Sequence, residues 1–284
     1  MQIIVSADDC GLSKGITDTI FETVDRGALT SVSVLPNGPA LPYAITEYRK
    51  RASTLRLAVH LNLTEGESLT GVGFLTDANG LLRFSVLGLS LAYLTASSRR
   101  RREIRKQIRR ELSAQIVHVR DLVAHTGPIA VDGHQHVHML PFVFDELCAL
   151  DLISYIRIPD EPFFLASGQM LRHLQRNGIA RAVLSMLSRR GRHKAYERGI
   201  STNDRFIGFV SSGKMTKEIV ARGLRTVAGS GCVEIAFHPG IPGKGERILF
   251  SKSSDWYRSE SHAYERDLLL EPGFAALLRS FETS

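Results

Sequence analysis

The sequence predicts an α/β fold with a parallel sheet in a single domain. Two observations predict it. Short apolar, β-branched runs alternate with longer segments of helical period, and repeated β-then-α units imply parallel strands joined by right-handed crossovers. Polar clusters also follow directly after several of the predicted strands. A length of 284 residues allows one large α/β domain, and no Pro/Ser linker or internal repeat divides it.

The elements follow in order. Residues 2–7 read as a buried strand ending at Asp8-Asp9. Residues 14–25 read as a helix, with Ile16, Ile20 and Val24 on one face and Gly27 just beyond its end. Residues 31–35 form the next strand, stopped by Pro36-Asn37-Gly38-Pro39. A strand over 56–63 runs into the polar Thr64-Glu65-Gly66. A long helix over 102–123 carries the stripe Ile104, Ile108, Leu112, Ile116, Val119 and Val123. A strand over 129–131 enters Asp132-Gly133-His134. A helix over 142–150, a strand over 154–158 and helices over 168–188 and 214–227 come next. The strand 232–237 precedes His238-Pro239-Gly240, and a helical tail closes the chain. Segments at about 66–100 and 160–212 read as insertions.

Composition bounds the class. Hydrophobic residues at 43% supply a core and exclude a wholly disordered chain. The net charge of +7 alone selects no partner. Cys10, Cys148 and Cys232 lack metal-like spacing and are too few for a disulfide framework, which fits a reducing compartment. No basic segment precedes an apolar run at the N-terminus, so no signal peptide is expected. The longest apolar window, 84–94, is shorter than the roughly 20 residues a bilayer requires. A cytoplasmic protein is expected.

The chemistry gathers at strand ends: Asp8-Asp9, His60, the run His134, His136 and His138, and His238. In parallel α/β folds, sites lie at the C-terminal ends of strands. Alone, Asp8-Asp9 reads equally as a helix cap, and His60 as a satisfied core residue. Three histidines at i, i+2 and i+4 of an extended segment would share one side of the chain and suggest a metal. A mixed Asp/His set suits a divalent ion such as Zn²⁺, Mn²⁺, Fe²⁺ or Co²⁺. One carboxylate and two imidazoles would leave a position for water, a second aspartate could act as base, and a remote histidine as acid. That is the inventory of a metal-assisted amide hydrolase.

At Ser6–Ser13 (Ser-Ala-Asp-Asp-Cys-Gly-Leu-Ser), Val59–Thr64, Asp132–His138 and His238-Pro239-Gly240, the chain resembles the YdjC/ChbG-like carbohydrate deacetylases, and Pro36-Asn37-Gly38 is similar as well. The resemblance implies a (β/α) barrel of TIM-like or irregular form with helical insertions. It implies removal of an N-acetyl group from an amino sugar. It implies one divalent metal, Mg²⁺ or Zn²⁺ foremost, held by Asp9, His60 and His134. Asp8 would be the general base. His238 would be the acid or a stabiliser of the intermediate; its place after the strand 232–237 should bring it into the barrel mouth on the side opposite Asp8. Asn37, His138 and Arg157 are candidate substrate contacts, with His138 alternatively supporting a metal ligand from behind and Arg157 alternatively orienting Asp8. The family often has an aromatic residue at the position of Cys10 and a serine at that of Gly133; neither is a proposed ligand. His118, His125, His173, His193 and His262 are expected on the surface.

Residues 81–96 are apolar and run into Arg99-Arg100-Arg101-Arg102, Arg105, Lys106, Arg109 and Arg110. One reading is a lid over the site followed by a solvated cationic helix. The other is peripheral contact with an anionic membrane face, which would suit a lipid-linked sugar. Residues 170–192 repeat the pattern, with Leu171, Leu174, Ile179, Val183, Leu184, Met186 and Leu187 among six arginines. Nucleic acid is not expected, because no aromatic platform accompanies the arginines. A homo-oligomer is open. The alternatives to deacetylation are hydrolysis of another amide, such as a formamide, and a non-catalytic basic binding module.

Overall fold

The computed structural model describes residues 1–163, 170–250 and 252–282, and no side chains at 170–177 and 179. The strands are β1 (Gln2–Cys10), β2 (Ser31–Val34), β3 (Arg56–Leu61), β4 (Ile129–Gly133), β5 (Ile153–Ile156), β6 (Ser201–Thr202), β7 (Arg205–Ile207) and β8 (Cys232–Phe237). All are parallel to their neighbours, in the order β6-β5-β4-β3-β2-β1-β8-β7. The sheet curls into an α/β barrel-like fold. Its seam lies between β6 and β7, where a side chain replaces the ladder: Asn203 accepts from Ile158 N at 2.7 Å and donates to the carbonyls of Ile158 (2.9 Å) and Arg205 (2.8 Å). The expected insertion at 160–212 therefore contains two barrel strands. They are two and three residues long, too short to register as a period.

The helices are α1 (Lys14–Arg26), α2 (Leu41–Arg49), α3 (Val86–Leu94), α4 (Ser98–Val123), α5 (Pro141–Leu147), α6 (Met170–Glu197), α7 (Lys217–Thr226), α8 (Ser254–Tyr257), α9 (Ser261–Leu270) and α10 (Pro272–Glu282). Ser13 and Ser97 cap α1 and α4 by accepting from Ile16 N and Arg100 N. β1 beyond Gln2 and all of β2 are buried, as strands covered on both faces should be. The α4 stripe meets them: Ile104, Ile108, Leu112, Ile116 and Val119 are all fully buried. Two polar residues share that buried face. Gln115 bridges both backbone groups of Asn62 at the end of β3, at 2.9 and 2.6 Å, and Glu111 collects Ser68, Leu69 N and Thr70. The long helix thus anchors the loop leaving β3.

The 66–100 segment packs outward. Tyr93 of α3 stacks on Phe142 of α5 at 3.9 Å between ring centroids. Among residues 170–192, Leu184 is buried and Val183 and Met186 are exposed. Leu171, Arg172, His173, Leu174, Arg176 and Ile179 lie outside the described side chains. Of the other expected surface histidines, His118, His125 and His193 are exposed, but His262 is buried, with Nδ1 bonded to Gly240 O at 3.2 Å. It sits in an aromatic cluster with Trp256 and Tyr257, a tertiary contact invisible in its local sequence.

Candidate metal centre

The site begins with an irregularity in β1. In a regular strand, Asp8 and Asp9 would point to opposite faces. The β1–β2 register shifts between Ala7 and Cys10, and Asp9 adopts φ 65°. This bulge in a left-handed conformation, which Asp tolerates better than most residues, turns both carboxylates into one cavity. The cavity measures about 350 Å³. Asp8, Asp9, His60, His134 and His238 all line it, with Phe206, Phe209, Trp256 and Tyr257 as an apolar wall.

Asp9 Oδ1 lies 3.0 Å from His134 Nδ1 and 3.4 Å from His60 Nε2. One ligand atom from each of the three falls within 4.8 Å of the others. The opposite nitrogen of each imidazole is held by a carboxylate. His60 Nδ1 meets Asp132 Oδ1 at 2.7 Å, and His134 Nε2 meets Glu65 Oε1 at 3.1 Å. Carboxylate–histidine pairs of this kind orient ring nitrogens toward a metal, so the donor set fits a divalent cation. Asp8, His60 and Asp132 form a second group of the same size. It is the poorer cradle, because both of its carboxylates are already neutralised by Arg157 and His60 Nδ1 is committed to Asp132.

The ionisation of the cluster follows from its crowding. Burial opposes the imidazolium of His60, but the Asp132 and Asp8 charges outweigh it and push its pKa up to about 10. Burial opposes ionisation of Asp9 as well, yet His134 and His60 hold it well below the usual carboxylate range. The two shifts are reciprocal: the buried carboxylates favour the imidazolium, and the imidazolium favours the ionised carboxylate.

Arg157 lies beneath the cavity and not in its mouth. It is fully buried, and it binds Asp8 (2.9 and 2.7 Å), Asp132 (2.7 Å), Glu234 (2.7 Å) and Ser6 (2.7 Å). The expected substrate contact at Arg157 is therefore corrected; its two-bond grip orients Asp8. The substrate role expected for His138 is corrected too. Gln135 and His136 both take φ 52°, so the segment after β4 is a tight turn, His134–Met139, and not an extended run. The three histidines diverge. His134 meets Asp9, His136 lines the cavity between Phe206 and Phe209, and His138 turns away to bond Arg157 O at 2.9 Å. Burial lowers the His138 pKa to about 4, so the ring stays neutral. It packs on Gly133, where an added Cβ would fall 2.4 Å from its Nδ1, so any side chain at 133 would displace it.

Asn37 is corrected likewise. It does not line the cavity. Its amide donates to Glu65 O (3.0 Å) and Glu67 O (2.9 Å), and it accepts from Asn62 (3.1 Å). Asn62 accepts from Thr64 N at 2.9 Å, and the two asparagines shape the turn that delivers Glu65 to His134. Glu65 is the functional residue that the sequence reading missed. A lone acid in a polar loop gives no periodic signal. Cys10 is a buried neighbour whose thiol is pushed up to about 12, chiefly by burial, which rules out an easy thiolate.

His238 does not face Asp8 from across the mouth. β1 and β8 are adjacent with Ala7 opposite Phe237, so the next residues are neighbours, and His238 Nε2 lies 3.9 Å from Asp8 Oδ2. Its Nδ1 lies 3.3 Å from Ser212 Oγ, its ring meets Trp256 edge-on, and its backbone N donates to Glu265 at 2.6 Å. No residue of 81–96 lines the cavity, so the lid expected there is absent from it; 206–212 and 253–257 supply the rim.

A solved structure from Enterococcus faecalis, of a protein proposed to cleave cellobiose phosphate, superposes with a TM-score of 0.69 over 98% of this chain and 94% of its own, at 18% sequence identity. That likeness is one of fold. A family model described as YdjC-like protein matches residues 2–280, a span that takes in the bulged aspartates, His60, His134 and His238, and the chain belongs to that family.

Proposed function

We propose that the chain is a metal-dependent hydrolase that removes the N-acetyl group from an acetylated amino sugar or its conjugate. One observation carries the reading: three ligand atoms within 4.8 Å of one another, each imidazole backed by its own carboxylate, at the base of a cavity that also holds Asp8 and His238. The family is related to carbohydrate-processing enzymes, and the aromatic wall suits the apolar face of a sugar ring. A divalent cation held by Asp9, His60 and His134 would supply the positive charge that polarises an amide carbonyl and acidifies water. Asp8, its plane set by Arg157, accepts the proton of the attacking water. His238 donates a proton to the departing amine, which is a poor leaving group until protonated. At 3.9 Å from Asp8, its Nε2 stands on a short route between the proton's two stations.

The test is a metal analysis of the purified protein combined with acetate and formate assays on a panel of N-acylated sugars. The expected result is bound divalent metal and acetate release. Asp8→Asn should lower turnover by about 10²–10⁴-fold while metal content stays unchanged. Formate without acetate would move the reading to a deformylase. A protein that binds no divalent metal would end it.

A further inference from the structure

α3 and the start of α4 make a surface that the fold does not use. α3 has the sequence Val-Leu-Gly-Leu-Ser-Leu-Ala-Tyr-Leu, without a charged residue. A helix apolar all round requires cover on every face. Its inner face has that cover: Leu89 is fully buried, and Val86 and Tyr93 pack on the core. Its outer face does not. Leu87, Leu91 and Leu94, spaced four and three apart, are 69%, 54% and 62% exposed. These three share one side of a nine-residue helix, so they form a continuous apolar stripe and not the ordinary scatter of single surface leucines.

Cationic charge adjoins the patch. Arg101 bonds the carbonyls of Tyr93 and Leu94, tying the end of α3 to the first turn of α4, and Arg100 lies over Phe74 at 4.8 Å. From Arg99 to Arg110 there are eight cations and a single carboxylate, Glu103. Arg105 and Arg109 pair with Glu146. Arg99, Arg102, Lys106 and Arg110, spaced three, four and four apart, form one exposed stripe, and among the described residues only Lys106 of these has an ion-pair partner, Glu103. The first turn of α4 contains no acid, although a helix N-terminus favours acids and disfavours cations. These arginines do not serve the helix that carries them.

We propose that this surface is a docking face for an anionic lipid bilayer, with the α3 leucines entering the headgroup region and the α4 arginines meeting lipid phosphates. Apolar side chains beside unpaired cations are the pattern of interfacial binding. A second copy of the chain is the poorer occupant, because pairing the leucine faces would also bring two basic stripes together. Among the described residues no helix is long and apolar enough to cross a membrane, so the contact is peripheral.

The test is co-sedimentation of the full chain with vesicles of phosphatidylcholine alone and with added phosphatidylglycerol. The wild-type chain should pellet with the anionic vesicles, less so as salt rises. Each charge removal among Arg99→Gln, Arg102→Gln and Arg110→Gln should weaken binding by about fivefold. A Leu87→Ser/Leu91→Ser/Leu94→Ser variant should lose binding at all salt concentrations. All six residues are exposed, and unchanged circular dichroism and thermal unfolding will show that the variants fold. No pelleting of the wild-type chain with anionic vesicles at low salt overturns the proposal. So does a solution dimer, seen by sedimentation velocity, that the leucine variant abolishes.

Discussion

Two sets of cations in this molecule obey opposite rules. Arg157 is buried under the cavity and grips three carboxylates, from Asp8, Asp132 and Glu234. Arg99, Arg102 and Arg110 lie on the outer face of α4, exposed and without an ion-pair partner among the described residues. A buried charge costs several kcal/mol in lost hydration, so it persists only where the fold surrounds it with partners. An exposed charge keeps its water and is free to sit where the helix gains nothing from it. The first set therefore reports on the architecture of the site. The second reports on what meets the protein from outside.

The comparison breaks most severely at Arg157. Arg157→Met should leave three carboxylates buried without their cation and cost about 3–5 kcal/mol, read by urea unfolding. A loss below about 1 kcal/mol would mean that water reaches the network and that the contrast is false.

Glu161 sharpens it, as a buried carboxylate held by backbone amides, with the neighbouring Arg181 too weak to offset its burial. It accepts from Gly208 N at 2.8 Å and Val210 N at 2.7 Å, beside the cavity rim. Burial outweighs those bonds and raises its pKa from 4.5 to about 7. The folded chain then holds this proton more tightly than the unfolded chain does. Its contribution to stability is complete below pH 4.5 and declines as pH rises toward 7, by up to roughly 3 kcal/mol. Unfolding measured at about pH 5 and about pH 8 should show that decline, and Glu161→Gln should flatten it. An unaltered slope in the variant would exclude Glu161 as its source.

Glu65 tests whether the carboxylates behind the histidines serve the site. Glu65→Gln should lower divalent-metal affinity by about 10–100-fold, measured by calorimetric titration, with little change in unfolding. Equal affinities would make Glu65 a fastening for Ser253 and nothing more.

The smallest effect has the reverse sign. Arg99→Glu should raise stability by about 0.3–1 kcal/mol, because an acid in the first turn of α4 complements the helix dipole. Thermal unfolding checks this. A destabilised variant would show that Arg99 serves the fold after all and would weaken the contrast.

Much of this protein was legible in one dimension. The β-then-α alternation follows from how side chains must be buried, and α4, β8 and the parallel order come directly from apolar period. Strand ends mark where polar residues can meet, so Asp8, Asp9, His60, His134 and His238 were visible as candidates, and one cavity gathers them. The divergence of the histidines was not legible, because it depends on two positive-φ residues, Gln135 and His136, whose types do not announce that conformation. Neither was the placement of Arg157 under Asp8, which joins residues 149 positions apart. Glu65 required the turn built by Asn37 and Asn62, and β6 and β7 are too short to show a period. Local sequence sets burial and periodicity because these depend on each side chain's own hydrophobicity. Which buried charge finds which partner depends on distances across the barrel, and only the tertiary structure decides those.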